Sequence, residues 1–359
     1  MTLGDIETSR AKNGGIPTDV APGKRCSQWN AHDDWAAAYI MLPWYLYLYY
    51  GDSESFKTHW KGLKTLMTHY QASSDGWILS RGYGDFFDPG TEAIVMHTPI
   101  PLTCSLWFFR CADIMARMAR VLEDYEAEQR YNEWRGHIAR AIKDRFFDSV
   151  TGSFGSQCGN VLALAFKILP DEDQAVLAAL VKDIRDRDIH MNVGVMGVRF
   201  ILEELTQNGY GELALALMRQ NTYPSFGHLI ERGATTLWEC WGEEGHNKTH
   251  GARSLNHPFM GGYDNWFFNT LAGIRPDPAV PGFNHFFLKP HPVPGLSWIR
   301  CHYNCPQGRI ESNWRLENGK FIWDIAVPEG TSATVTRPYC RERLRLKPGH
   351  YQFSETIDK

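Results

Sequence analysis

Between residues 32 and about 275 the sequence repeats one pattern, in which a strongly apolar segment of helical length is followed by an amphipathic segment. The first pair consists of DDWAAAYIMLPWYLYLYYGD, which is apolar almost throughout, and SESFKTHWKGLKTLMTHYQASS, which carries charge on one face. A helix that is apolar all round is typical of a buried position, whereas an amphipathic helix covers it from outside. Three further pairs follow within residues 103–147, 159–187 and 193–221. The pattern predicts a toroid of helical hairpins, with a pocket at the end where the loops of the inner helices meet.

The last part of the chain changes to short segments of alternating polarity. Phe321, Trp323 and Ile325 share one face of a predicted strand, and Asp324 lies on the other. Segments SATVTRP and HYQFSE also read as strands. We therefore predict a small antiparallel β-sandwich after the helices, with one domain at 1–277 and a second at 278–359.

Composition excludes several classes of protein. A net charge of −4 provides no basic surface for nucleic acid or anionic membranes, so neither is an expected partner. The eight cysteines form no CxxC pair, the N-terminal MTLGDIETSRAKNGG has no apolar h-region, and no apolar run approaches the roughly 18 residues of a membrane span, so we expect a cytoplasmic chain. No set of residues has metal-ligand spacing and no glycine-rich nucleotide motif is present, so we expect neither a metal nor a cofactor.

The stretch GATTLWECWGEEG, residues 233–245, places an acid between two tryptophans. Glu239 lies between Trp238 and Trp241, and two more glutamates follow at positions 243 and 244. Because burial of a carboxylate is unfavourable and raises its pKa, such an acid suits proton abstraction from water. The structural alternative is an acid satisfied by Arg232 or by backbone N–H groups at the start of a helix. The residues alone do not separate these two interpretations.

Three other places combine polar and aromatic residues. The segment DGWILSRGYGDFFDPG, residues 75–90, has the composition of a loop that binds a polyol, or of an ordinary turn-rich connection. Asp33 and Asp34 precede Trp35 at a predicted helix start, where capping explains the two acids at least as well as sugar contact. His257 follows Asn256 before another predicted helix, and a structural role for the histidine competes with one in a pocket.

Two long stretches, YPSFGHLIERGATTLWECW and SLNHPFMGGYDNWFFNTLAGIRPDPAVPGF, resemble the closing part of glycoside hydrolase family 78, the α-L-rhamnosidases. The likeness extends upstream through GYGDFFDPG to GGIPTDVAP and downstream to SATVTRP, so that it covers most of the chain. The resemblance implies a mainly α fold, an (α/α)6 toroid incomplete at its N-terminus, followed by the β-sandwich. It also implies a rhamnose-containing glycoside or oligosaccharide as substrate.

The resemblance further implies residue roles. Family members invert configuration with two carboxylates roughly 6.5–9.5 Å apart, which leaves room for a water molecule. Glu239 matches the family's general base, and Glu231 is its nearest rival. Trp238, Trp241 and His257 would shape the rhamnose pocket, in addition to the sugar contacts expected of three residues nearer the N-terminus, Trp35, Asp85 and Phe86.

The chain departs from the family's pattern in three places. The family's general acid lies in a DxPxxERxGWTGD-like segment, and this sequence has none. Trp35 is followed by three alanines where the family often has aromatic-x-Asp-Ala, and Phe86 stands where tryptophan is usual. Three hypotheses stay open: an inverting α-L-rhamnosidase whose missing N-terminal segment is supplied by a longer chain, a noncatalytic carbohydrate-binding remnant, and an (α/α)6 glycosidase for another sugar.

Overall fold

The computed structural model describes residues 3–12, 14–16, 32–90, 96–242 and 254–357. Contacts divide the chain into two units. The first unit comprises Met1–Trp44, Ser53–Val198 and Asn221–Met260. The second comprises Tyr45–Asp52, Arg199–Gln220 and Gly261–Lys359.

The described part of the first unit is helical. Its helices are α1 (Leu3–Thr8), α2 (Asp33–Ala36), the first half of α3 (Ala38–Tyr50), α4 (Glu54–Ser73), α5 (Ile100–Val121), α6 (Tyr125–Phe146), α7 (Gln157–Phe166), α8 (Asp173–Asp186) and α11 (Phe226–Glu231). Helix α5 is buried on nearly all sides, whereas α6 buries one stripe that includes Tyr131, Ile138 and Ile142. Helices α7 and α8 repeat the contrast. The predicted alternation of buried and amphipathic helices is confirmed for these two hairpins.

One predicted helix begins later than its apolar pattern suggests. The sequence predicts a helix over 193–209, but the helix, α9, spans only Ile201–Gln207. The N–H groups of Gly194, Met196 and Gly197 donate to the carboxylate of Asp85, at 2.7, 2.9 and 3.1 Å. These N–H groups are therefore satisfied by a side chain from another loop, and 193–197 forms a non-helical segment.

The second unit adds a helical hairpin and two sheets. Helix α9 is followed by α10 (Gly211–Arg219), a 3₁₀ turn at Pro258–Tyr263 that begins in the first unit, and a π-helical segment at Trp266–Leu271. The strands are β1 (Ile274–Pro276), β2 (His285–Leu288), β3 (Trp298–Cys305), β4 (Gly308–Glu317), β5 (Lys320–Val327), β6 (Ser332–Thr336), β7 (Arg343–Leu346) and β8 (Gly349–Thr356). The first strand thus begins before the predicted boundary at 277/278, which stays a prediction.

The eight strands form two four-stranded sheets, with orders β1-β2-β6-β7 and β3-β4-β5-β8. All pairs are antiparallel except β2 with β6, which is parallel. Apolar residues of both sheets share one core, and Phe321, Trp323 and Ile325 contribute to it as the alternation predicts. The buried indole N–H of Trp314 donates to the Leu271 carbonyl at 2.8 Å, so this large side chain is buried without an unpaired donor.

Candidate active site

Glu239 is held by pairing between two short segments. Its backbone N–H donates to the Ser254 carbonyl at 3.0 Å, and the His257 N–H donates to the Leu237 carbonyl at 2.8 Å. The Ser254 N–H in turn donates to Oε2 of Glu239 at 2.8 Å. A charge-assisted bond of this kind fixes the orientation of a carboxylate. The pairing therefore positions the glutamate and His257 relative to each other.

The Glu239 side chain is half-buried, and its hydrogen bond comes from a backbone N–H group. The donor, Ser254, lies four residues before a 3₁₀ turn rather than at the start of a helix. Among the described residues only Oε2 accepts a hydrogen bond, so the bond leaves Oε1 available for a water molecule. This arrangement is compatible with proton abstraction by the carboxylate.

Trp238 and Trp241 flank Glu239 but are themselves buried, at 5% and 1% exposure. The Trp241 indole N–H donates to the Val193 carbonyl at 2.8 Å, and its ring lies edge-on to Phe226 with centroids 5.0 Å apart. Trp241 therefore anchors the Glu239 segment to the non-helical stretch at 193–197. Sugar contact by either indole stays a prediction.

Asp85 is the second anchor of the same stretch. Its side chain is fully buried, and its two oxygens accept from three backbone N–H groups of residues 194–197. Burial raises the pKa of Asp85 to about 6, although these three hydrogen bonds lower it. The backbones approach so closely that a Cβ on Gly194 would lie 2.2 Å from the Phe86 carbonyl oxygen. Since both oxygens are occupied inside the protein, this position favours a role in placing the Phe86 loop over direct contact with a sugar.

Five rings make consecutive contacts, and we call this set the aromatic row: His257, Phe259, Trp35, Tyr83 and Phe86. The successive centroid distances are 3.7, 5.5, 5.1 and 5.6 Å. Three of the five are predicted sugar-binding residues, and each of these three is half-buried. The structure therefore brings Trp35, Phe86 and His257 together, and the pairing of residues 237 and 257 links Glu239 to the same row.

His257 has a defined hydrogen-bonding role within the row. The Phe259 N–H approaches its Nδ1 at 3.3 Å, so that Nδ1 is the acceptor. In the neutral ring the proton then lies on Nε2, which becomes a donor. A donor on a half-exposed aromatic surface suits a sugar hydroxyl group.

Glu231, the rival base, is exposed at the C-terminal end of α11. Among the described residues, no hydrogen bond or ion pair joins it to the aromatic row or to Glu239. The two glutamates at 243 and 244 lie outside the described residues. Of the candidate bases, the geometry favours Glu239.

The two acids at the start of α2 do not cap it in the expected way, because His32 occupies the N-cap position. Asp34 accepts from the Gly84 N–H at 2.8 Å and from the Trp35 N–H at 2.9 Å, and so fixes the loop beside Tyr83. Burial raises its pKa to about 6, although its backbone hydrogen bonds lower it. Asp34 thus helps to position Trp35 and the loop of Tyr83 within the aromatic row.

Sequence reasoning missed three residues that build the site. Tyr83 connects Trp35 to Phe86 and also stacks on His32 with centroids 3.9 Å apart. Phe259 joins Trp35 to His257, and Ser254 orients the carboxylate of Glu239. The GYG context of Tyr83 is a usable signal, since glycines on both sides of a residue are typical of a turn.

Within the described ranges, no group of three or more histidine, cysteine or acidic side chains has the geometry of a metal site. The helices that the structure describes include none that is both long and apolar enough to cross a bilayer.

Comparison with known proteins identifies the family. The family model described as the bacterial α-L-rhamnosidase six-hairpin glycosidase domain matches residues 1–271, and that of the bacterial α-L-rhamnosidase C-terminal domain matches 273–350. The chain belongs to the bacterial α-L-rhamnosidase family. The predicted family and fold class, a helical toroid followed by a small β domain, are confirmed.

Individual relatives agree with this assignment. An α-L-rhamnosidase of Streptomyces avermitilis is 29% identical over 94% of this chain and 32% of its own length. One of an Alteromonas species is 27% identical over 99% of this chain and 41% of its own length. The solved α-L-rhamnosidase of Dictyoglomus thermophilum has a TM-score of 0.88 and 29% identity, covering 98% of this chain and 43% of that one. The chain thus spans about a third to two-fifths of the curated relatives' length.

Proposed function

We propose that this chain provides the general base of an inverting glycosidase site that removes terminal α-L-rhamnose from glycosides or oligosaccharides. Family membership supports the class of reaction, since relatives across the family are named α-L-rhamnosidases. The observation that carries the residue assignment is the Ser254 N–H donating to Oε2 of Glu239, which leaves Oε1 for a nucleophilic water.

Glu239 acts as the general base. Its Oε1 takes a proton from a water molecule as the water oxygen attacks the anomeric carbon, and the bond to the leaving-group oxygen breaks on the opposite face of the sugar. Inversion requires a second carboxyl group roughly 6.5–9.5 Å away to protonate that oxygen. The product is released first as the β-anomer.

The aromatic row provides the sugar-binding surface. The half-buried rings of Trp35 and Phe86 offer apolar faces, and His257 offers its Nε2–H to a hydroxyl group. Asp85 and Trp241 act as positioning residues, because both hold the 193–197 stretch that supports this surface.

The general acid comes from another segment of a longer polypeptide. The sequence contains nothing similar to the family's acid-bearing DxPxxERxGWTGD segment. The relatives are longer than this chain, which covers 32% and 41% of the two described above. In the proposed full site, Glu239 activates water while the acid of the additional segment protonates the leaving group.

The decisive experiment compares Glu239→Gln with the unaltered protein on 4-nitrophenyl α-L-rhamnoside. Loss of a general base lowers the rate by roughly 10²- to 10⁴-fold, and we expect kcat to fall while KM changes little. The anomer released first, followed by NMR before mutarotation, is expected to be β.

Glu231→Gln is the matched control, because it removes an exposed carboxyl group near the same motif. Its rate is expected to equal that of the unaltered protein. Equal rates for Glu239→Gln and the unaltered protein contradict the assignment, and loss of activity in Glu231→Gln alone transfers the role of base to Glu231.

A second candidate function is carbohydrate binding without turnover. The aromatic row supports it, together with the missing acid segment. This candidate is favoured if calorimetry detects binding of L-rhamnose and no rhamnoside is hydrolysed. A panel of other nitrophenyl glycosides tests the remaining alternative, a glycosidase for a different sugar.

A further inference from the structure

The second unit contains a cavity of about 530 Å³ whose lining includes none of the residues of the candidate active site. It is lined by Thr206, Gly209, Gly211, Lys289, Pro290, His291, Pro292, Val293, Pro294, Thr336, Arg337, Pro338, Tyr339 and Arg341, and we call it the basic cavity. Its volume lies within the range of small-ligand pockets, roughly 300–1,000 Å³.

The lining of the basic cavity includes three cationic side chains and no carboxylate, in a chain whose net charge is −4. Arg337 is paired with Glu355 and Glu342, at 3.1 and 2.7 Å. Lys289 and Arg341 are exposed, and neither is within ion-pair distance of an acid that the structure describes. Two cations therefore remain available to an anionic group.

The loop that carries Tyr339 and Arg341 is held in place from within. Glu355, 5% exposed, accepts from the N–H groups of Tyr339 and Cys340 at 3.0 Å each and from the Arg337 guanidinium. The Arg341 N–H donates to the Arg337 carbonyl at 3.0 Å. A loop fixed in this way loses little conformational entropy when a ligand binds.

The remaining lining provides flat apolar surfaces and a polar atom without a partner. Tyr339 is 38% exposed, and the prolines at 290, 292, 294 and 338 present rigid rings. The Nδ1 atom of His291 is buried and has no hydrogen-bond partner among the described residues.

We propose that the basic cavity binds a carboxylate-bearing sugar, such as a uronate residue of an oligosaccharide. The carboxylate pairs with Arg341 and Lys289, and the sugar ring lies against Tyr339. The ring and the proline surfaces favour a sugar over a simple anion, whereas the cations favour an acidic sugar over a neutral one. The site is additional to the hydrolytic site and does not depend on the proposed function.

Calorimetric titration of the whole chain tests the proposal with four probes: galacturonate, galactose, acetate and inorganic phosphate. Galacturonate is expected to bind measurably tighter than the other three, and its affinity is expected to fall as salt is raised, because exposed charges are screened. Arg341→Gln and Lys289→Gln are each expected to weaken galacturonate binding roughly tenfold, the effect of losing a hydrogen bond to a charged group.

Arg300→Gln is the matched control, since Arg300 is an exposed arginine of β3 outside the cavity lining. It is expected to leave the affinity unchanged. Equal binding of galactose removes the role of the carboxylate, equal binding of acetate or phosphate removes the sugar, and no binding of galacturonate overturns the proposal. Because binding alone is measured, the outcome is independent of rhamnoside hydrolysis.

Discussion

Asp33 is a buried acid, and Nε2 of the buried His69 lies 3.7 Å from its Oδ1. The Asp33 side chain is 2% exposed, neither carboxyl oxygen has a hydrogen-bond partner among the described residues, and burial raises its pKa to about 7, an effect that Arg81 reduces. Because the folded-state pKa lies above the unfolded value near 3.9, this group favours folding below about pH 4. That contribution is lost as the pH rises through about 7.

We therefore expect the effect of Asp33→Asn on the free energy of unfolding to be more stabilising, or less destabilising, at pH 8 than at pH 5. The change in this effect between pH 5 and pH 8 is expected to be roughly 3 kcal/mol, because about two pH units separate pH 5 from the folded-state pKa and each corresponds to about 1.4 kcal/mol. Urea unfolding at the two pH values measures it. Asp144→Asn, at an exposed position of α6, is the control and is expected to show no such difference. An effect of Asp33→Asn that is equal at both pH values contradicts the assignment.

At the scale of elements, Asp85 determines where a helix begins. Asp85→Ala would leave three backbone N–H groups without their acceptor, and each unpaired buried donor destabilises by roughly 1–3 kcal/mol. We expect a loss of about 3 kcal/mol or more in the free energy of unfolding at pH 7, where the carboxylate is largely ionised. Hydrogen exchange is expected to accelerate at Gly194, Met196 and Gly197. Unchanged exchange at these amides would show that Asp85 does not hold the stretch.

The same elements show what the sequence predicts and what it does not. The alternation of buried and amphipathic segments predicts α5 to α8 because each helix's burial follows from its own residues. The stretch at 193–197 is not helical because the Asp85 carboxylate accepts hydrogen bonds from three of its N–H groups. The sequence does not predict this, since Asp85 lies 109 to 112 positions away. The parallel pairing of β2 with β6 likewise joins strands far apart in sequence.

In the candidate site, too, the sequence predicts some residues but not the contacts that position them. A glutamate between two tryptophans is visible in the sequence, so Glu239 is predicted from its neighbours. The segment that orients it is not visible, because Ser254 becomes its partner only when two short segments pair. Similarly, a loop rich in glycine and aromatics predicts exposed rings, but only the fold joins Phe86 through Tyr83 to Trp35.

At the scale of the whole molecule, the proposed function assigns the general base to this chain and the general acid to another segment. A general acid matters in proportion to the basicity of the leaving group, because a strongly acidic phenol departs without protonation. On the proposed assignment, with Glu239 as base and the acid on another segment, this chain is expected to hydrolyse 2,4-dinitrophenyl α-L-rhamnoside measurably and alkyl rhamnosides hardly at all. The logarithm of kcat/KM is expected to fall steeply as the leaving-group pKa rises.

Two variants separate the contributions to that slope. Glu239→Gln is expected to lower every rate in the series by a similar factor and to leave the slope unchanged, because the base acts on water and not on the leaving group. Glu231→Gln, the exposed control, is expected to change neither rate nor slope. A shallow slope in the unaltered chain would instead indicate that a carboxyl group of this chain already protonates the leaving group.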